Sequence, residues 1–447
     1  MNLPEISIYF AIFLSLLLSS IANAQFSSPI LIEPNTGQIT NIVPADLNND
    51  GLKDIIATRK FSANNLISYY LNEGDFSFGP EATIATGSSQ VTNISVGDFD
   101  DNGWLDIVSI GDAGNAVTMH MNSALSFSAE ELDSFTFFES DIDVVDLDND
   151  DDLDIVAVGG TTLKVYYNDG MSNFTTQIIQ GPIEDFFDLT VGDIDADGFE
   201  DVITGGSNIS VYKNSSGTLV YDSLRSNQIP GLFNLFVRLE DIDNDGDADL
   251  FSEDNNSTGV RWMENDGAGN FANLLIIDST AINIRSGTLK DFDNDGDLDF
   301  IIIKDFDLYL YENDGAGDFG APNLIQDEPT LISVVESEDL NNDGLADIIW
   351  SADLSVQQNN SPLSGTEYLV DKDLVQIYPN PSAEQVILDC PQNGVLNVFD
   401  AKGQLVYENL PVLKGVNDLK IELVPQIYFF YLKLKTGPVI TKKVVIK

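Results

Sequence analysis

Residues 291–303 read DFDNDGDLDFIII, setting five carboxylates within nine residues directly against an apolar run. Two carboxylates about 4 Å apart repel by roughly 4 kcal/mol at an effective dielectric of 20, so a dry loop holding several of them needs a counter-charge. The same nine-residue pattern recurs as DLNNDGLKD from Asp46, DFDDNGWLD from Asp98, DLDNDDDLD from Asp146, DIDADGFED from Asp193, DIDNDGDAD from Asp241 and DLNNDGLAD from Asp339. Successive copies lie 47 to 52 residues apart. A period near 50 signals a solenoid, propeller or array.

Each unit has a strand pattern. NISVGDFD leads into a loop, DIVSI follows one, and LKVYYNDGMSNF carries a strand into an Asn-Asp-Gly turn. Related turns start at Asn72, Asn265 and Asn313, where such sequences supply the positive φ that tight hairpins need. Four short strands per unit, Gly- and Asx-rich connections and no helical periodicity predict the blades of a propeller. Phe78, Phe127, Phe174, Phe271 and Phe319 each precede the next acidic loop by 19 or 20 residues, and Phe26 stands 20 before Asp46 although no earlier strands of its own unit precede it. The last unit runs out after LSVQQNNSPL. Residues 26–32 are therefore expected to form the outer strand of the seventh blade, so that one sheet joins both ends. The predicted fold is all-β: a seven-bladed β-propeller over residues 25–363 followed by a small C-terminal β-sandwich over 364–447.

Positions 1, 3, 5 and 9 of every copy bear a side-chain oxygen, and position 6 is Gly in six of the seven. This resembles the opening of an EF-hand loop, in which alternate residues and a position-7 carbonyl converge on calcium. The candidate ligands are Asp46, Asn48, Asp50 and Asp54; Asp98, Asp100, Asn102 and Asp106; Asp146, Asp148, Asp150 and Asp154; Asp193, Asp195, Asp197 and Asp201; Asp241, Asp243, Asp245 and Asp249; Asp291, Asp293, Asp295 and Asp299; and Asp339, Asn341, Asp343 and Asp347. Asp151 replaces the glycine in the third copy, which makes that site the least regular.

With 73 acidic and 20 basic side chains the chain carries a formal charge of -53, which repels polyanions and argues against nucleic acid as a partner. The hydrophobic share of 43% separates it from disordered acidic chains. Residues 1–24 end in Ala22-Asn23-Ala24 after an apolar run and read as a secretory signal peptide, although Lys and Arg are missing ahead of that run. No later run is long enough for a membrane span. Cys390 is the single cysteine and His120 the single histidine, so triads and His-metal sets have no partners to draw on. Trp104, Trp262 and Trp350 are expected to pack between blades rather than stack on sugars.

The GDFDDNGWLDIV and NDGAGNF signatures resemble FG-GAP or VCBS-type repeats. That resemblance implies a calcium-binding propeller and leaves adhesion, carbohydrate binding and enzymatic roles open. Beyond residue 363, Tyr378-Pro379-Asn380-Pro381, the Asp400-x-x-Gly403 turn, Ile427-Tyr428-Phe429 and a Lys-rich final strand resemble the type A sorting domain of the Bacteroidetes type IX secretion system, with Gln426 where glycine is usual. The resemblance implies that the secretion machinery is a partner and that the protein is secreted or held at the outer-membrane surface. The expected function is non-enzymatic: calcium-dependent binding or adhesion to an extracellular glycan or protein. The alternative is a polysaccharide-active enzyme or its carbohydrate-binding subunit, which a groove with convergent carboxylates outside the loops would favour.

Overall fold

The computed structural model describes residues 25–360 apart from 35–37, 61–66, 87–90, 112–115, 136–139, 183, 227–228, 230–235, 255–258, 282–283, 328–331 and 352. In the C-terminal part it describes 376–378, 386–390, 394–400, 405–419, 424, 427–434 and 439–446. The signal peptide, the Pro379-Asn380-Pro381 segment, Gly403 and Gln426 lie outside the described residues.

Seven four-stranded antiparallel sheets fill the first unit, one for each acidic loop. Blade 1 runs through Gln38–Ala45, Asp54–Lys60, Ile67–Tyr70 and Ala82–Ala85, with the acidic loop joining its first two strands. Second strands such as Asp106–Gly111 and Asp154–Gly159 are buried at every position. Neighbouring blades cover both faces of these strands, so they read as continuous apolar runs rather than alternating ones. First strands meet the first strands of adjacent blades from blade 1 through blade 5, between blades 6 and 7, and between blades 7 and 1, which arranges them about a common axis.

Closure follows the spacing of Phe26. Ile30–Glu33 pairs antiparallel with Leu354–Gln357 as the outer strand of blade 7. Ser27 N donates to Gln358 O at 2.8 Å and Asn360 N to Gln25 O at 2.6 Å. Phe26 is buried and meets Phe292, on the blade 6 loop, edge to face at 6.2 Å.

One asparagine per blade ties this ring together: Asn72, Asn122, Asn168, Asn214, Asn265, Asn313 and Asn359, all buried at the end of the third strand. Asn313 Nδ2 donates to Leu298 O of its own blade at 3.2 Å and to Ile242 O of the preceding blade at 2.8 Å. The preceding-blade bond recurs at each of the others, and Asn72 makes it to Leu340 O of blade 7 at 2.7 Å. Sequence reading assigned Asn72, Asn265 and Asn313 to the turn itself. The left-handed backbone falls instead on glycines just beyond, such as Gly267 at φ 70° and Gly315 at φ 78°.

A second compact unit begins at Pro362. Gln376–Tyr378, Val386–Cys390 and Gly415–Leu419 form one sheet, and Leu405–Val412, Gly394–Asp400, Ile427–Leu434 and Val439–Val445 another. Leu388, Leu396, Val398, Tyr428 and Phe430 share one apolar cluster between them, and Cys390 is buried in it.

Candidate metal loops of the propeller

Each acidic loop is held by its own backbone. In blade 6 the position-1 carboxylate of Asp291 accepts from Asp295 N at 3.1 Å and Gly296 N at 2.9 Å, and Asp295 Oδ1 accepts from Asp297 N at 3.1 Å. Position 6 requires positive φ in all seven loops, and Asp151 adopts it too, at 72°. Position 4 is also left-handed throughout, at Asn49, Asp101, Asn149, Ala196, Asn244, Asn294 and Asn342. Asparagine tolerates that region better than most residues. Here it also reaches across: Asn49, Asn149 and Asn342 donate to the position-6 carbonyl of the next loop at 2.6 to 2.9 Å, linking loops along one face.

Position 9 begins the second strand and is fully buried in every blade. Asp299 Oδ2 accepts from Phe292 N at 2.9 Å and Oδ1 from Asn313 N at 2.9 Å, so it latches its own loop to the pinning asparagine. The equivalent pair of bonds exists at Asp54, Asp106, Asp154, Asp201, Asp249 and Asp347. Burial raises these carboxyls to about 6 at Asp54 and Asp106 and to about 7 at the other five. Each oxygen retains a lone pair beyond its hydrogen bond and so remains able to ligate.

Carboxylate oxygens from Asp98, Asp100 and Asp106 converge within 4.8 Å of one another, as do those of Asp146, Asp148 and Asp154 and of Asp241, Asp243 and Asp249. All-oxygen sets of this kind suit a hard divalent ion. Asp241 Oδ1 is buried without a hydrogen-bond partner, as an unfilled coordination position would be. In blade 6, burial and then the neighbouring Asp295 raise Asp293 to about 6. Blades 1, 2 and 7 carry one ligand charge fewer, and the amides of Asn48 and Asn341 donate to Asp50 and Asp343 at 2.9 and 2.8 Å. Asn102 is turned to the backbone, donating to Asn122 O at 3.1 Å and accepting from Trp104 N. In blade 4 the grouped carboxylates are Asp193, Asp195 and Asp197, with Asp201 latched separately. Sequence reading missed Glu264, which comes from the third strand of blade 5 to within ligand distance of Asp243 and Asp245. Its signal is positional, since it directly precedes the pinning Asn265.

A second polar group lines the axis. A cavity of about 260 Å³ is bordered by Asn93, Asp141, Asp143, Arg238 and Glu336. Arg238 Nη1 donates to Asp188 Oδ2 at 3.0 Å, and Asp188 also accepts from Val237 N at 2.6 Å. Asp141 accepts from Leu189 N at 2.9 Å and from the Asn93 amide, and burial followed by the nearby Asp188 raises its carboxyl well above the ordinary range. Burial raises Glu336 to about 7.

His120 is buried against Ser109 Oγ at 2.9 Å, and burial lowers its pKa to about 4. A neutral imidazole enclosed within a blade has a packing role. Trp262 and Trp350 are core residues, and Trp262 Nε1 crosses from blade 5 to Gly317 O of blade 6 at 3.0 Å. Trp104 is half-buried.

Repeated antiparallel blades, acidic first connections and a ring closed by its own N-terminal strand define a β-propeller. The FG-GAP-like repeat pattern matches residues 46–109, 146–204, 241–302 and 291–350, just over half of the chain, and the chain belongs to that family. Residues 376–447 match the secretion system C-terminal sorting domain, so this is a protein exported to the cell surface or beyond it. No helix among the described residues is long and apolar enough to cross a membrane. No curated protein matches the chain. Similar solved structures include BBS1N in complex with ARL6DN soaked with lead, at TM-score 0.54 and 10% identity over 76% of this chain and 97% of that one. The same complex soaked with mercury gives 0.54 and 11% over 76% and 98%. An Agrocybe aegerita lectin described as recognising non-reducing terminal N-acetylglucosamine gives 0.49 and 19% over 67% and 81%. At these identities the likeness to the first two speaks to fold alone.

Proposed function

We propose that the exported protein is a calcium-stabilised binding or adhesion module for an extracellular glycan or protein, and that its C-terminal unit serves as the address read by the secretion machinery. The observation that carries this reading is the array of all-oxygen acidic loops chained along one face of a rigid ring. Calcium there would neutralise crowded carboxylates and leave a fixed surface onto which recognition groups are readily grafted. The side chains of positions 1, 3, 5 and 9 would hold the ion, and the position-9 latch would transmit its binding to the second strand.

A polysaccharide-active role is the second reading, and the axial carboxylates favour it to a degree. Asp141 and Asp188 converge outside the loops, yet both are committed to backbone amides and Asp188 to Arg238. The cavity is also smaller than the roughly 300 Å³ at which ligand pockets begin. Binding of the full chain to arrayed polysaccharides and matrix proteins, with calcium and with EGTA, tests the first reading. Depolymerised or unsaturated products, abolished by Asp141→Asn, would replace it with the second.

A further inference from the structure

One residue directly precedes each pinning asparagine, and in blades 4 and 5 it reaches the acidic loop of its own blade. Around the ring these residues are Leu71, Met121, Tyr167, Lys213, Glu264, Glu312 and Gln358, and Lys213 is the only cation among them. Asn214 fixes its backbone, with N donating to Asp201 Oδ1 at 2.5 Å and Nδ2 to Leu147 O at 2.7 Å. From there the Lys213 ammonium enters the fourth loop, donating to Asp195 and, at 3.0 Å, to Asp197 Oδ2. A second cation stands behind it. Arg225, on the short helix Ser223–Ser226, lies 3.8 Å from Asp195 and is oriented by Asp222 Oδ2 at 2.6 Å and by the carbonyls of Ala268 and Gly269.

We propose that the fourth loop carries its own counter-ion: Lys213 takes the place that a divalent cation would occupy, and this repeat is metal-independent while the others bind calcium. The inference rests on the calcium reading for the other loops and departs from it here. Calcium requires six to eight oxygens. In this loop Asp195 and Asp197 each give an oxygen to the ammonium, so the charge that a divalent ion would supply is already present between them. A divalent ion would have to expel the lysine and then remain beside it and Arg225, with like charges repelling at short range. The loop nevertheless keeps the shape of its neighbours: Asp193 accepts from Asp197 N at 3.1 Å and Gly198 N at 2.7 Å. A tethered cation thus replaces a free one without altering the turn. Blade 5 shows the opposite choice at the same position, where Glu264 adds a carboxylate to its loop.

The test is calcium stoichiometry of the full chain by equilibrium dialysis with elemental analysis, comparing wild type with Lys213→Gln, Asp193→Asn and Asp291→Asn. Lys213→Gln is expected to bind one ion more than wild type, Asp193→Asn the same number, and Asp291→Asn one fewer. An unchanged count in Lys213→Gln, or a loss of one ion in Asp193→Asn, overturns the proposal, whereas no binding by any form refutes the calcium reading itself. In that last event thermal unfolding in EGTA decides. Lys213→Gln should melt below wild type because the loop has lost the cation bound between Asp195 and Asp197, and equal melting temperatures would remove the counter-ion role.

Discussion

Replacing Asn72 with alanine probes the closed ring where it joins first blade to last. Its Nδ2 donates to Lys53 O at 3.0 Å and Leu340 O at 2.7 Å, its Oδ1 accepts from Gly74 N at 3.0 Å, and the side chain is 2% exposed. Alanine removes all three bonds and leaves two carbonyls facing a dry cavity. At about 1 kcal/mol net per bond, with the usual penalty for buried unsatisfied groups, the cost should be about 3 kcal/mol. A propeller of about 340 residues has an unfolding entropy of roughly 0.7 kcal/mol/K, so the melting temperature should fall by about 4 °C. The assay is calorimetry in saturating calcium, with Asn313→Ala as the internal comparison, since Asn313 makes the matching bonds between blades 5 and 6. Comparable losses are expected, the larger at Asn313, whose Oδ1 accepts from both Gly315 N and Gly317 N. If Asn313→Ala lowers the transition and Asn72→Ala does not, blades 1 and 7 are not joined as described.

Chelation should be costly: if free calcium is about ten times each dissociation constant, six filled loops contribute roughly 8 kcal/mol, and EGTA should lower the transition by on the order of 10 °C. An unchanged melting temperature would discard calcium as a structural ion. Without metal, stability should fall as pH rises from 5 to 8. The position-9 carboxyls are raised by burial to about 6 or 7, so over that window the native state holds protons that the unfolded chain has already lost. With calcium saturating, the trend should reverse because protons then compete with the ion, and a melting temperature in EGTA that rises with pH would contradict the assignment. Ala196→Asn should raise the melting temperature by a degree or two, since Ala196 holds φ 56° where five other loops use asparagine; a decrease would show that the loop prefers a small residue there.

The period of the acidic loop and the displaced Phe26 make the blade count and the closure legible in the sequence. Both signals are short-range patterns repeated at nearly fixed intervals, and geometry adds only the partner strand. The pinning asparagines were less legible for a physical reason. The hairpin between Asp and Asn varies in length from blade to blade, which blurs the spacing, and the bonds go to main-chain carbonyls a blade away that no side chain reveals. Lys213 was hidden differently, since a lysine in a strand reads as a solvated surface residue until the register turns it toward Asp195 and Asp197. The axial group of Asp141, Asp188 and Arg238 was invisible because single polar residues in separate first strands do not reveal that the ring brings them together.

The strand exchange in blade 7 has a mechanical consequence. Had the chain ended on its own outer strand, a pull on the segment leading toward the sorting unit would peel an edge, breaking ladder bonds one after another along a free margin. Here the last strand of the propeller, Leu354–Gln357, lies between Asp347–Trp350 and Ile30–Glu33. A tether attached beyond Asn360 therefore loads an interior strand, and extraction must rupture two ladders together. For a protein exported to the outside of the cell, where shear can act on it, the first residues of the ring serve as the clamp on its last.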